Sequence, residues 1–222
     1  MHNCKAVTVV FDLDDTLYSE REYLKSGVKY LVKRFKRWCP SIDGLAVDKI
    51  IASQKPLDTL FEALDLSDSV KQSMLWMYRL HKPAIQLYYE ARELIDFCNH
   101  NHIDIAVITD GRLVSQSLKL DALGLTRVKS YISEEYKETK PSEGRFLEVQ
   151  KDFPSKQYIY VGDNPTKDFI APNQLGWITV GLRYREVNIH TYDTSVLTEL
   201  QRPSVWVDRL SEVKEIILEA NK

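Results

Sequence analysis

The run Val7-Thr8-Val9-Val10-Phe11-Asp12-Leu13-Asp14-Asp15-Thr16-Leu17-Tyr18 decides how the rest of the chain is read. Val7 to Phe11 is short, apolar and rich in β-branched residues, which predicts a buried strand rather than a helix. It breaks off in three carboxylates, Asp12, Asp14 and Asp15. A strand buried on both faces belongs to a parallel sheet, and such sheets bind ligands beyond the carboxyl ends of their strands. Three acids crowded at such an end repel one another unless a cation offsets them. The first expectation is therefore a divalent-cation site, Mg²⁺ by the usual chemistry, at the end of a first and central strand.

Beyond Leu17 the pattern changes. Tyr23, Val28, Leu31, Val32, Phe35 and Trp38 recur at helical spacing, opposite Lys25, Lys29, Lys33, Arg34, Lys36 and Arg37. This predicts an amphipathic helix with a solvated basic face, ending before Pro40. Asp43–Ser53 and Leu57–Leu64 read as short helices split by Pro56, and Ser67–Leu80 as a longer one capped by Ser67. No strand pattern occurs between Tyr18 and Asn101, an interval too long for an ordinary loop. The second half alternates instead. Strands are expected at Ile103–Ile108, Val128–Ile132, Tyr158–Val161, Trp177–Val180 and Ser204–Val207. Helices are expected at Ala91–Asn99, at Leu113–Leu123 closed by Gly124, from Pro141 onward, at Thr166–Leu175 kinked by Pro172, at Asp193–Leu200, and around Val213, Ile216, Ile217 and Ala220. Alternation of this kind predicts an α/β fold with a doubly wound parallel sheet. Residues 1–17 and 87–222 would form the core, and 18–86 an inserted all-helical unit.

Composition narrows the function classes. Thirty basic and thirty-two acidic residues among 222 leave a net charge of −2, so no bulk field draws the chain to nucleic acid or anionic lipid. Cys4, Cys39 and Cys98 are far apart, which suits reduced structural thiols. No apolar segment approaches the ~18 residues of a membrane span, and no secretory leader pattern opens the chain. The expectation is a cytoplasmic protein with no nucleic-acid or membrane partner; the sequence sets no oligomeric state.

Polar residues of matching type sit at three strand ends: Asp12 and Asp14, then Thr109 and Asp110, then Asp163 with Asp168 five residues on. Lys140 stands between them at a helix start. In a parallel sheet these ends open on one crevice. Carboxylates there suit a hard octahedral cation. A threonine hydroxyl, backbone N–H groups and an ammonium suit the oxygens of a phosphoryl group. A cation site, an anion grip and a spare carboxylate together equip a site for phosphoryl transfer. Asp15 is expected to be a turn or capping residue. Arg112, three residues past Thr109, is a possible substrate contact.

Asp12-Leu13-Asp14-Asp15-Thr16-Leu17, Thr109-Asp110-Gly111, Lys140-Pro141 and Gly162-Asp163-Asn164-Pro165-Thr166-Lys167-Asp168 resemble, in order and rough spacing, the four motifs of the haloacid dehalogenase superfamily. The helical insertion resembles that family's C1-type cap. The resemblance implies that Asp12 is the nucleophile, forming an aspartyl-phosphate, and that Asp14 is the general acid and then base. It implies Mg²⁺ on the Asp12 carboxylate, the Asp14 backbone carbonyl and the Asp163 carboxylate. It also implies phosphoryl oxygens on Thr109 and the Asp110 N–H, Lys140 neutralising the nucleophile–phosphate pair, and Asp168 in support.

Within the resemblance, Asp14 separates chemistries. Dehalogenases of the family lack an acid there, so Asp14 points to a phosphatase or a phosphomutase, with hydrolysis the default. A catalytically silent binding module would be missing the nucleophile, the acid or the lysine, and none is missing. The implied substrate is a small phosphomonoester: a sugar phosphate, including a sialic-acid-like one, or a nucleoside monophosphate. The chain departs from the pattern at Ser142-Glu143-Gly144, at Ile85–Glu90 without a Pro-Gly turn, at Asp110 where Asn is frequent, and at Pro172.

Overall fold

The structure is a computed structural model that describes residues 5–39, 42, 44, 46–183, 188 and 192–221. Cys4 and Pro40 lie outside the described residues. Strand β1, Lys5–Phe11, is buried from Val7 onward, as its apolar run requires. It lies at the centre of a six-stranded sheet whose paired strands are all parallel. The other strands are β2 (Asp104–Thr109), β3 (Lys129–Ile132), β4 (Ser155–Gly162), β5 (Ile178–Leu182) and β6 (Val205–Val207). Their order is β3-β2-β1-β4-β5-β6. The chain winds one way from β1 to β3 and the other way from β4 to β6. The order therefore reverses between β1 and β4, and the crevice beyond those two strand ends is the natural ligand position.

Between β1 and β2 lie α1 (Glu20–Phe35), α2 (Val47–Ala52), α3 (Pro56–Ala63), α4 (Asp68–Arg79) and α5 (Tyr89–His100). The first four fall within the stretch expected to be an all-helical insertion. The helix expected over Asp43–Ser53 is the shorter α2, and Pro56 opens α3 at its first position, where a missing N–H is harmless. Ser67 precedes α4, yet its side chain makes no capping bond. The remaining helices are α6 (Leu113–Ala122), α7 (Ser133–Tyr136), α8 (Gly144–Asp152), α9 (Ile170–Gln174) and α10 (Val213–Ala220).

Alternate β1 residues feed two cores, one on each face of the sheet. Val7, Val9 and Phe11 pack with Leu94 and Cys98 of α5 and Ile217 of α10, and this core runs on into Leu31, Leu60 and Met74 of the insertion. Val10 packs with Ile108, Tyr131, Phe146 of α8 and Trp177.

Three expectations are corrected by local side-chain chemistry. The helix expected from Pro141 starts at Gly144, because Glu138 acts as its cap: Glu138 Oε1 accepts from Arg145 N (2.7 Å) and Oε2 from Ser142 Oγ (2.9 Å). A Cβ on Gly144 would stand 2.6 Å from that carboxylate. The helix expected over Thr166–Leu175 is only α9. Asp168 Oδ2 accepts from Asn164 N (2.9 Å) and holds the preceding residues in a turn, and Pro172 falls in the first turn of α9, where it forces no kink. Asp193–Leu200 is two 3₁₀ turns, Thr194–Val196 and Glu199–Gln201, because Asp193 and Thr198 bond nearby backbone or side-chain groups and compete with a helix. The polar run at Ser133 contains the single-turn α7.

Candidate active site

The carboxyl end of β1 delivers Asp12 into the crevice; its own N–H still bonds Val161 O of β4 at 2.8 Å. Lys140 is buried beneath it. The ammonium lies 2.5 Å from Asp12 Oδ1, 2.6 Å from Asp168 Oδ1 and 3.1 Å from the Tyr160 hydroxyl. Asp163 follows β4 and is buried beside them. Gly162 makes this possible, since a Cβ there would stand 2.7 Å from Asp168 Oδ2. The expected Asp12, Lys140, Asp163 and Asp168 thus converge on the switch point.

One buried ammonium does not balance three buried acids. Burial raises the Asp12 carboxyl to about 6, with Lys140 pulling it down and Asp168 pushing it up. Burial, then Asp168 and Asp12, lift Asp163 well above the usual carboxylate range. Burial, with too little positive charge nearby to offset it, disfavours the ionised form of both acids. Asp12, Asp163 and Asp168 each offer a carboxylate oxygen, and these oxygens lie within 4.8 Å of one another. A buried, all-oxygen, net-negative donor set of this kind fits a hard divalent cation. Asp14 contributes no carboxylate to that cluster; only its backbone carbonyl is left for the role the motif implies.

The Asp14 carboxylate is taken up elsewhere. It accepts from the Tyr18 hydroxyl, from Gln116 Nε2 (2.9 Å) and from Lys119 Nζ (2.7 Å). Burial raises its carboxyl, but Lys119 and these three hydrogen bonds outweigh it and hold Asp14 below the usual range. Lys119 is only 5% exposed and lies over the Tyr23 ring, 4.3 Å from its centroid. Burial lowers its ammonium, and Asp14 and Glu20 more than restore it. Glu20, at the first turn of α1, is lifted to about 8 by burial and by Asp14. Asp15 is structural as expected: it adopts a left-handed backbone, φ 56°, and its Oδ1 accepts from Glu20 N at 2.8 Å.

Thr109 ends β2 beside Asp12. Its hydroxyl accepts from Gln116 Nε2 at 2.6 Å, and the same nitrogen lies 3.1 Å from Asp110 O. Gly111 takes φ 148°, and its backbone pairs with Ser133 Oγ on both sides. Arg112 lies 3.2 Å from Glu134 and over the Trp76 ring of α4. His81 is inside the insertion, bonded to Tyr78 O and Ser26 Oγ.

Gln116, Lys119, Tyr18, Glu20 and Arg145 were not singled out from the sequence. A signal existed for two of them. Gln116 and Lys119 lie on the face of α6 that also carries Leu120 and Leu123, and a polar residue on an apolar face usually has a buried partner. Arg145 is fully buried against Asp110. Nothing in the local pattern announces it.

Residues 9–182 match the family model of the haloacid dehalogenase-like hydrolases. The chain is 26% identical over 212 residues to a glyceraldehyde 3-phosphate phosphatase of Methanocaldococcus jannaschii, covering 87% of this chain and 93% of that protein. Its fold is similar to that of a 2-haloacid dehalogenase from Pseudomonas syringae pv. Tomato (TM-score 0.64, 20% identity, 98% and 99% of the two chains). It is also similar to a Bacillus subtilis protein described as a HAD-hydrolase, YfnB, bound to magnesium (TM-score 0.63, 19% identity, 96% and 99%). The family match spans the strand ends that carry Asp12, Thr109 and Asp163, together with Lys140 and Asp168 in the connecting segments, and on that ground the chain belongs to the haloacid dehalogenase-like hydrolases.

Proposed function

We propose that the protein is a Mg²⁺-dependent phosphatase of small phosphomonoesters. One observation carries the choice of ester hydrolysis over dehalogenation. Gln116 Nε2 lies 2.6 Å from Thr109 Oγ1 and 2.9 Å from Asp14 Oδ2, so the candidate acid/base adjoins the candidate phosphate grip. A dehalogenation has no leaving oxygen to protonate and no use for that carboxylate.

The Asp12 carboxylate attacks phosphorus, and the ester P–O bond breaks. Asp14 gives its proton to the departing oxygen, then takes one from the water that hydrolyses the aspartyl-phosphate and releases phosphate. In the geometry described, Asp14 is an ionised carboxylate held by three donors, so it must be released from Lys119 and protonated before it can act as the acid. Thr109 Oγ1 and the Asp110 N–H hold phosphoryl oxygens, and Lys140 offsets the charge of the nucleophile beside it. Asp12, the Asp14 carbonyl and Asp163 would hold Mg²⁺, with Asp168 in support; the ion supplies charge neutralisation for a carboxylate attacking an anion. The insertion, residues 18–86, is read as a cap that excludes water and selects the leaving group.

The 26% identical relative is named for a triose phosphate, which puts sugar phosphates ahead of nucleoside monophosphates as substrates. The test is phosphate release from a panel containing glyceraldehyde 3-phosphate, hexose phosphates, a phosphorylated nonulosonic acid and nucleoside monophosphates, with Mg²⁺ and with chelator. Turnover of at least one monophosphate, without a bisphosphate activator and abolished by chelation, is expected. No turnover, or turnover indifferent to chelator, overturns the reading.

A further inference from the structure

Arg145 is a fully buried guanidinium on the first turn of α8, a few residues past the Lys140-Pro141 motif but outside it. Its partners are particular. Nη1 donates to Thr109 O (2.9 Å) and Tyr131 O (3.3 Å), the last turns of two neighbouring strands, and Nη2 donates to Asp110 Oδ1 (2.6 Å). Asp110 Oδ1 also accepts from the backbone N–H of Lys140 at 3.2 Å. Glu138 Oε1 is 3.8 Å from Nε, and Lys167 Nζ is 3.7 Å from Asp110 Oδ2.

A buried ion pair is a poor way to stabilise a fold, since apolar residues of similar volume do as well or better. What this pair supplies is geometry. One guanidinium fixes the carbonyl of Thr109 and the carboxylate of Asp110, and through that carboxylate it fixes the main chain of Lys140. Thr109, Asp110 and Lys140 are the three residues that grip the phosphoryl group in the proposed reaction. They come from two separate segments, and the Arg145–Asp110 pair is a hydrogen-bonded link between them. A displacement of the order of 1 Å in such a grip costs about a hundredfold in rate.

We propose that Arg145 is a positioning residue for phosphate: with Asp110 it forms a buried charge clamp that sets the phosphate-binding strand end of β2 and the Lys140 main chain in register. The inference rests on the phosphatase reading, because it needs a phosphoryl group at Thr109 and Lys140. It also gives the Asp110 side chain a task separate from its N–H: the carboxylate faces inward to the clamp while the N–H serves the ligand.

The test uses the full chain with Mg²⁺, inorganic phosphate as the probe measured by calorimetry, and p-nitrophenyl phosphate turnover measured alongside. Arg145→Met is expected to weaken phosphate about tenfold or more and to raise KM more than it lowers kcat. Arg145→Lys, which keeps the charge but not the fork, is expected to fall between Arg145→Met and the wild type. The double variant Arg145→Met/Asp110→Asn is expected to bind phosphate no more weakly than Arg145→Met, because the link is already broken in the single variant. If Arg145→Met does not fold, Asp110→Asn carries the test; it breaks the ion pair, keeps the N–H, and is expected to weaken phosphate similarly. Unchanged phosphate affinity in a folded Arg145→Met or Asp110→Asn, with only the melting temperature lowered, overturns the proposal, as does a double variant whose loss is the sum of the two single losses. Failure of the wild type itself to bind phosphate or turn over the ester overturns the phosphatase reading, and the clamp with it.

Discussion

Asp12 is pulled in two directions. Its contact with Lys140 favours the carboxylate, while burial and the neighbouring Asp168 favour the acid, and the balance leaves it near 6. The amide in Asp12→Asn keeps the shape and removes both the nucleophile and the repulsion. Turnover of any substrate found by the panel is expected to fall by about three orders of magnitude or more, with the melting temperature retained. Near-normal turnover would remove Asp12 from the chemistry. Asp14 is the converse case, held low by Lys119, Tyr18 and Gln116. Lys119→Met removes the ammonium, so the Asp14 carboxyl rises, and the limb of the pH–rate profile that reports it moves to higher pH. Because one partner of a buried pair is lost, stability is expected to fall by about 3 kcal/mol in thermal or urea unfolding. A profile that does not move would mean that Lys119 leaves Asp14 alone.

At the level of elements, the insertion depends on close packing of α1 against α4. Gly27 lies where they meet: a Cβ there would stand 2.1 Å from Tyr78 Cε2. The Tyr78 ring cannot simply swing aside, because it is buried against Tyr23 and His81. Gly27→Ala is therefore an overpacking change, expected to cost about 1–3 kcal/mol. The loss should read out as a lowered melting temperature, with inorganic phosphate affinity per folded molecule retained, since Gly27 touches no strand end. Retained stability would mean that α1 and α4 separate easily. The element scale is also where sequence patterns served least well. Periodicity placed β1, α1 and α4 because burial of one face dictates their composition. It overextended the helices at Pro141, Thr166 and Asp193, where a single Glu138, Asp168 or Asp193 side chain outcompetes the helical hydrogen bonds.

For the whole molecule, the site is a store of like charge, and that predicts a pH dependence. Asp12 is raised from 3.8 to about 6, Glu20 from 4.5 to about 8, and Asp163 well above 3.8. A carboxyl raised on folding binds more protons in the native state than in the unfolded chain. Its contribution is fully present below the unfolded value and is lost as pH rises through the folded one. Asp14 and Asp110 are lowered and act only as pH falls toward and below 3.8. The metal-free protein should therefore melt at progressively lower temperature from about pH 5 to pH 8, as judged from these shifts. On the proposed function, Mg²⁺ added to the ionised carboxylates should restore more stability at the upper end than at the lower. A metal-free melting temperature that is flat or rising across that window would contradict the charge-excess account.

The sequence by itself determined the doubly wound core, the helical character of the stretch between β1 and β2, and the strand-end residues Asp12, Thr109 and Asp163. These are legible because each is tied to a local signature: an apolar run that must be buried, ending in polar residues that burial would not otherwise tolerate. Only the tertiary structure decided what surrounds them. Lys119 reaches Asp14 from 105 residues away and Arg145 reaches Asp110 from 35. Neither pairing leaves a periodic trace, because a single buried ion pair is set by how helices pack on the sheet. The Asp14 carboxylate is held below the usual range, and the proposed phosphate grip is braced from behind, by contacts that come into being only when the chain has folded.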